Sequence, residues 1–288
     1  FAGYKFFLTN RFLRIYPIYL VVLVATLVVL VVVQFFLPGK FNVPWFNLHE
    51  PLHFWLVIFL IVTHIVVFGQ DVVVFIGRGN FLLVPQSWTL ALELMFYFAA
   101  PFLARWKTWV LVVLLAASLG LRWWLYRVGL DYDPWTYRFF PAELAFFIAG
   151  ILTFRWYLFL RFHALLFKKV SWIFLVAIIG VTLFYQYLPA QNIKLWGYYA
   201  LVIMALPFIF ELTKNCAIDR RIGEFSYPMY ICHLFSLAFS KPVLIPALHI
   251  PAQYLGLVTA VVTIFISYIL LRFVGDPIER WRHSLTLK

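Results

Sequence analysis

The stretch Gln86–Pro101, QSWTLALELMFYFAAP, decides how the rest of the chain is read. It reads as a membrane-embedded helix with Glu93 among otherwise lipid-soluble residues. A carboxylate at that depth costs at least ~2.5 kcal/mol on insertion scales. Such a residue is expected to face the interior of a helix bundle and to meet a partner there. A site around Glu93 is therefore the first functional expectation, with Thr89 one turn before it and Tyr97 one turn after it on the same face.

Composition points to the same class. Of the 288 residues, 65% are hydrophobic and only 12% are charged, and the mean hydropathy is +0.95. Soluble domains run at roughly 45–50% apolar and ~25% charged. Apolar stretches recur at Ile15–Phe36, Leu52–Phe68, Trp88–Leu103, Trp109–Leu125, Phe139–Phe154, Trp172–Leu188, Trp196–Leu212, Phe225–Val243 and Tyr254–Phe273. They have helix length rather than the roughly 10-residue alternation of an outer-membrane barrel. Pro38-Gly39, Pro85, Pro101, Pro134, Pro189, Pro246 and Pro251 separate them. The predicted fold is all-α, a polytopic transmembrane helix bundle of about eight to nine membrane helices. Residues 1–288 read as a single integral-membrane domain.

The formal charge of +12 is carried largely by short loops. Arg105–Lys107, Arg155–Lys169, Lys214–Arg221 and the tail with Arg280, Arg282 and Lys288 are basic, as is the N-terminal run of Lys5, Arg11 and Arg14. This is the positive-inside pattern, and it excludes a nucleic-acid role in the absence of any RNA-binding motif. If every stretch crossed, the two ends could not share the cytoplasmic side. The weak point is Leu52–Pro85, where Asp71 and Arg78 interrupt the pattern, so an even number of crossings is expected. Cys216 and Cys232 have no disulfide or metal spacing, and His49, His53 and His64 form no metal-ligand set. No metal is expected. A hydrolase triad is unsupported, because no GxSxG elbow occurs.

Several polar residues within the apolar stretches are candidates for chemistry. Arg11 and Arg14 in NRFLRIYP share a helix face at a membrane entrance. They read either as topology-setting arginines or as a pair of guanidinium forks for a phosphate. Glu93 reads as a structural carboxylate paired with a buried arginine, or as a proton acceptor or the orienter of a histidine. Arg122, near the middle of its apolar stretch, is a candidate partner for it. Arg138 sits beside Glu143 at another entrance, where anchoring and substrate binding are both open. Ser226, Tyr230 and His233 in SYPMYICHLF form a polar stripe on one helix face.

Five segments taken in order resemble the membrane-bound acyltransferase 3 family. They are RFLRIYP, SWTLALELMFYFAAP, RFFPAELAFFIAG, IGEFSYPMYICHLFS and DPIERWR, and they span Arg11 to about Arg282. The resemblance implies a polytopic bundle of about ten helices that transfers acyl groups, often acetyl or succinyl, onto sugars of cell-envelope or secreted glycans. It implies no cofactor, with a cytoplasmic acyl-CoA as cosubstrate. The partners implied are that donor, a glycan or lipid-linked sugar acceptor, and membrane lipids. The expected location is the bacterial inner membrane.

Carried over residue by residue, Arg11 and Arg14 match the family's donor-handling Arg-x-x-Arg pair. Glu93 matches the Ser-Trp-x-Leu-x-x-Glu segment with Ser87 and Trp88 as substrate-binding or structural residues. Tyr230 and His233 match the Ser-Tyr-x-x-Tyr-x-x-His segment that also holds Ser226. Arg138 and Gly150 match a further recurrent Arg and Gly. Glu93, His233 and Tyr230 are the catalytic candidates.

The family's best-supported catalytic motif, a basic residue followed by ten residues and a His on the first helix, would precede Phe1. Arg272 and His283 have that spacing, but they straddle the end of the last stretch and are set aside. The expectation is a chain lacking its first helix or two and inactive alone. Two other classes compete with acyl transfer. A transporter or flippase would use Glu93, Arg138 and His233 as a relay along a substrate path. A scaffold or sensor would leave the polar residues scattered.

Overall fold

The computed structural model describes residues 2–36, 45, 52–161, 164–189 and 191–286. Phe1, Pro38-Gly39, His49 and Lys288 lie outside them, as do the side chains of Lys168 and His283. The described chain is helical and falls into two compact units, residues 1–101 with 223–288 and residues 102–222.

In the first unit, α1 (Ala2–Phe36) is 35 residues long, a rise of about 52 Å. Its inward stripe is Ile15, Ile18, Tyr19, Val22 and Leu23, all buried. These residues recur at the helical period, so one face of α1 enters the core. They pack with Leu90, Ala91 and Leu94 of α4 (Trp88–Leu103), Ile231 and Cys232 of α9 (Ala217–Phe239), and Leu270 of α11 (Leu255–Leu270). The polar faces of α1, α4 and α9 are brought together by this apolar packing.

Leu52–Phe68 becomes α2 (Phe54–Val66), with only 13 residues. Its rise of about 20 Å falls short of a hydrocarbon core of about 30 Å. The helix stops where Val67 adopts φ 71° and Gly69 φ 88°. The left-handed region is costly for a β-branched residue, so the fully buried Val67 is held there by its surroundings. After α3 (Gln70–Phe75), two single 3-10 turns, Gly79–Phe81 and Pro85–Ser87, lead into α4. At the far end of this unit, α9 runs on through a π-turn, Ser240–Leu244, to the short α10 (Ile245–Ala247), and α11 through another, Leu271–Gly275, to α12 (Asp276–Thr286). Gly275 is close to α1: a Cβ there would meet Leu271 Cδ1 at 3.0 Å and Ile18 Cδ1 at 3.7 Å.

The second unit contains α5 (Thr108–Arg127), α6 (Phe140–Leu160), α7 (Ala164–Leu183) and α8 (Gln191–Thr213). Here α5 packs on α6, α7 on α8, and α6 on α8. Ser118 Oγ ties the first pair, donating to the Pro141 carbonyl at 2.6 Å and accepting from the Ala145 amide at 2.9 Å. Arg155 donates to Thr108 Oγ1 at 2.8 Å and to the Trp106 carbonyl at 2.6 Å, holding the turn before α5. Tyr157, Phe167 and Phe208 form a buried aromatic cluster among α6, α7 and α8.

Among the described residues, six helical segments are long and apolar enough to cross a membrane: Gly3–Phe36, Thr108–Arg127, Phe140–Leu160, Ile193–Thr213, Ala217–Ala247 and Ala252–Arg282. The all-α polytopic architecture read from the sequence holds, with a slightly lower count of such helices. The apolar helices left out are the short α2, the 16-residue α4 and the apolar part of α7, Lys169–Leu183.

Candidate functional site

The face of α4 that carries Thr89, Glu93 and Tyr97 points toward α1 and α9. Tyr97 donates its phenolic proton to the half-buried Glu93 carboxylate. The Arg11 guanidinium of α1 lies 5.2 Å from the centroid of the Tyr97 ring and 5.3 Å from that of Phe7. A cation over an aromatic face is attracted to the ring quadrupole. The exposed Arg14, one turn on, also reaches Tyr97 electrostatically. From α9, Tyr227 donates to the Ile15 carbonyl at 2.7 Å and lies within Coulombic reach of Glu93. Glu93 and the two arginines therefore converge at one end of the α1–α4 contact.

One turn earlier on α4, a second group forms. Thr89 Oγ1 is 2.9 Å from the Tyr230 hydroxyl and 3.0 Å from the Gln86 carbonyl, and the Tyr230 hydroxyl is 3.2 Å from that carbonyl. The three oxygens make a closed triangle. His233, one turn beyond Tyr230, has Nδ1 2.6 Å from the Tyr230 carbonyl. A carbonyl only accepts, so Nδ1 carries the proton and a neutral ring presents its lone pair at Nε2. The Tyr230 and His233 rings lie 5.8 Å apart. Ser226 is exposed at the start of the same stripe.

Ser87, adjacent to this site, is bonded into the buried segment that precedes α4. It is fully buried, and its single hydroxyl proton is shared between Gln70 Oε1 and the Val84 carbonyl. Gln70 Nε2 donates to the Tyr19 hydroxyl at 2.9 Å and to the Thr63 carbonyl at 3.0 Å, and Tyr19 donates to the His64 carbonyl at 2.6 Å. His64 closes the network, with Nδ1 on the Leu60 carbonyl at 2.6 Å and Nε2 accepting from the Leu83 amide at 3.0 Å. The irregular backbone between α2 and α4 is thereby satisfied from within, as irregular backbone inside a membrane protein requires. Trp88 is buried beside it.

Two of the charged candidates belong to the second unit. Arg122 pairs with Glu143 at 2.8 Å, donates to the Thr136 carbonyl at 2.6 Å, and lies over Phe146 at 5.1 Å. This corrects the expectation that Arg122 partners Glu93, whose carboxylate is instead met by the Tyr97 phenol. Arg138 grips Asp133 with two bonds, of 2.7 and 2.9 Å. Among the described residues no three His, Cys, Asp or Glu side chains gather as metal ligands. Sequence reasoning missed Tyr227, Gln70 and Gln86. Gln70 had a visible signal, since it adjoins Asp71 in an otherwise apolar stretch.

The acyltransferase-domain model of the acyltransferase 3 family matches residues 1–272. The chain belongs to that family. No curated protein and no solved structure matches it. As an acyltransferase 3 protein with six helices suited to crossing a bilayer among its described residues, it is an integral-membrane acyltransferase of the general kind. Within the acyltransferase, the first unit supplies an anion-attracting pair, a carboxylate–phenol pair, and a hydroxyl triangle beside a histidine. An arginine pair suits phosphate oxygens, and an imidazole lone pair suits the proton of a hydroxyl nucleophile.

Proposed function

We propose that this protein moves an acetyl or succinyl group from a cytoplasmic acyl-CoA to a sugar hydroxyl of a cell-envelope or secreted glycan, in a bacterial inner membrane. The supporting observation is that Arg11 and Arg14, the Glu93–Tyr97 pair, and the Thr89–Tyr230–His233 group follow one another along the contact of α1, α4 and α9. In this reading Arg11 and Arg14 hold the phosphates of the donor. The sugar oxygen attacks the thioester carbonyl carbon, a C–O bond forms and the C–S bond breaks. The hydroxyl proton passes to a base and finally to the departing thiolate. Among the described residues, His233 Nε2 and the Glu93 carboxylate are able to orient that base or to relay the proton. Tyr230 orients the incoming hydroxyl.

The test uses the full-length protein in its own cells. Glycans are profiled by mass spectrometry in wild type and in Glu93→Gln and Arg14→Ala variants, each checked for normal membrane insertion. Loss of one defined acyl mass in both variants supports the reading and identifies the group. An unchanged profile in both moves the assignment to transport.

A further inference from the structure

Pro17 lies inside α1, the helix that carries Arg11 and Arg14. Proline has no amide proton, so the helical bond to the Leu13 carbonyl is missing and the ring crowds that carbonyl. Such a turn is where a long helix bends. Arg11 and Arg14 both precede Pro17 and ride on the N-terminal arm of α1. The arm beyond Pro17 is fixed in the core by Ile18, Tyr19, Val22 and Leu23. A change of bend at Pro17 therefore moves both guanidinium groups relative to Glu93 of α4.

Tyrosine hydroxyls tie this turn to its neighbours. Tyr227 of α9 donates to the carbonyl of Ile15, the residue next to Arg14, at 2.7 Å. Tyr16, just before the proline, donates to the Val66 carbonyl, and Tyr19, just after it, donates to the His64 carbonyl at 2.6 Å. Both acceptors lie in the last turn of α2, where carbonyls have no partner within the helix. The end of α2 thus grips α1 on either side of Pro17. Tyr227 adds a hold from α9, and it also lies within Coulombic reach of Glu93. Packing alone needs no hydroxyl there, since a phenylalanine ring would fill the same space. A directional bond to a backbone carbonyl instead fixes where the weakened turn sits.

We infer that Tyr227 is a positioning residue for the donor: its bond to the Ile15 carbonyl sets the Pro17 bend of α1, and so holds Arg11 and Arg14 at their places beside Glu93. The inference rests on the acyl-transfer reading above, in which those arginines hold the donor phosphates.

The experiment uses the full-length protein in phosphatidylcholine nanodiscs, with the exposed Cys216 replaced by Ser. Thr9→Cys and Leu27→Cys carry spin labels at exposed positions on either side of Pro17, about 27 Å apart along the helix. Their distance distribution, by pulsed electron paramagnetic resonance, reads the bend. Calorimetric binding of coenzyme A itself reads the arginine pair. Tyr227→Phe should widen the distribution and weaken coenzyme A binding by about tenfold, with the melting temperature nearly unchanged. Pro17→Ala restores the helical bond, and in that background Tyr227→Phe should no longer widen the distribution. In an Arg14→Ala background Tyr227→Phe should weaken binding little further. Tyr16→Phe, which loosens the same turn from α2, serves as a second variant should Tyr227→Phe fail to reach the membrane. An unchanged distribution overturns the inference. So does a wider one at wild-type coenzyme A affinity, and so do additive losses with Arg14→Ala. A wild-type protein that does not bind coenzyme A sinks the donor reading, and the distance distribution still decides whether Tyr227 sets the bend.

Discussion

The Tyr97 phenol is hydrogen bonded to the Glu93 carboxylate one turn earlier in α4, and the same ring carries the Arg11 guanidinium at 5.2 Å. One aromatic side chain thus links the acidic and basic halves of the site. Glu93 thus accepts from a neutral donor rather than sitting in a direct ion pair with Arg11.

Glu93→Gln keeps the shape and removes the charge. Acyl transfer should fall by about 10²-fold or more if the carboxylate handles or orients a proton, with membrane level unchanged. Tyr97→Phe leaves the carboxylate short of one donor and should fall less. Kinetics of both single variants and the double variant measure their coupling, and additive losses would show that the hydrogen bond is irrelevant to turnover.

Substitution of His233 by Ala should cost about 10²–10⁴-fold in turnover with little change in the donor KM. Tyr230→Phe removes one member of the hydroxyl triangle and should act mainly on the acceptor KM. A His233→Ala protein of full activity would reduce the imidazole to a packing residue.

Arg11→Ala and Arg14→Ala are expected to raise the KM for acyl-CoA by roughly tenfold each, as the loss of a charge-assisted contact of ~1.5–3 kcal/mol implies. Arg14→Lys should recover part of the loss, because an ammonium keeps the charge but not the fork. Unchanged KM values would return both residues to setting topology alone.

The Gln70 network is predicted to carry stability rather than catalysis. Gln70→Leu strips partners from the Tyr19 hydroxyl and from Ser87 in a buried region, and should cost about 2–4 kcal/mol. Ser87→Ala should cost about 1–3 kcal/mol. Thermal unfolding in detergent reads both. A large activity loss at unchanged melting temperature in Ser87→Ala would point to substrate contact.

In the second unit, Glu143→Gln leaves the half-buried Arg122 charge with a weaker partner and should destabilise by about 1–3 kcal/mol. Replacing both by apolar residues, Arg122→Met with Glu143→Leu, should recover most of that loss. The comparison is by melting temperature, and a double variant worse than the single one would show that the pair fixes the α5–α6 register.

The helical period made part of this site legible. Thr89, Glu93 and Tyr97 share a face by spacing, as do Tyr230 and His233, and the structure brings Tyr230 against Thr89. What spacing does not give is which helices are neighbours. Arg122 met Glu143, 21 positions away, because α5 packs on α6. Tyr227 bonds to the carbonyl of Ile15, 212 positions away, and no local pattern announces such a pair. The shortness of α2 was equally hidden. Its apolar run continues past Val66, and the helix ends where the buried Val67 takes a positive φ that a β-branched residue disfavours. Ser87, read from its motif as substrate-binding or structural, is bonded into the Gln70 network.

The triangle of Thr89, Tyr230 and the Gln86 carbonyl holds two hydroxyl protons for three oxygen–oxygen contacts. At most two of its edges can be occupied at once, and the vacancy can move by rotating O–H bonds with every heavy atom at rest. A visiting hydroxyl can then be met by a donor or by an acceptor from the same two side chains. If the proposed sugar acceptor binds here, the scaffold would not dictate which way round its alcohol offers its hydrogen, and selectivity among ring positions would have to come from the shape of the space around the triangle.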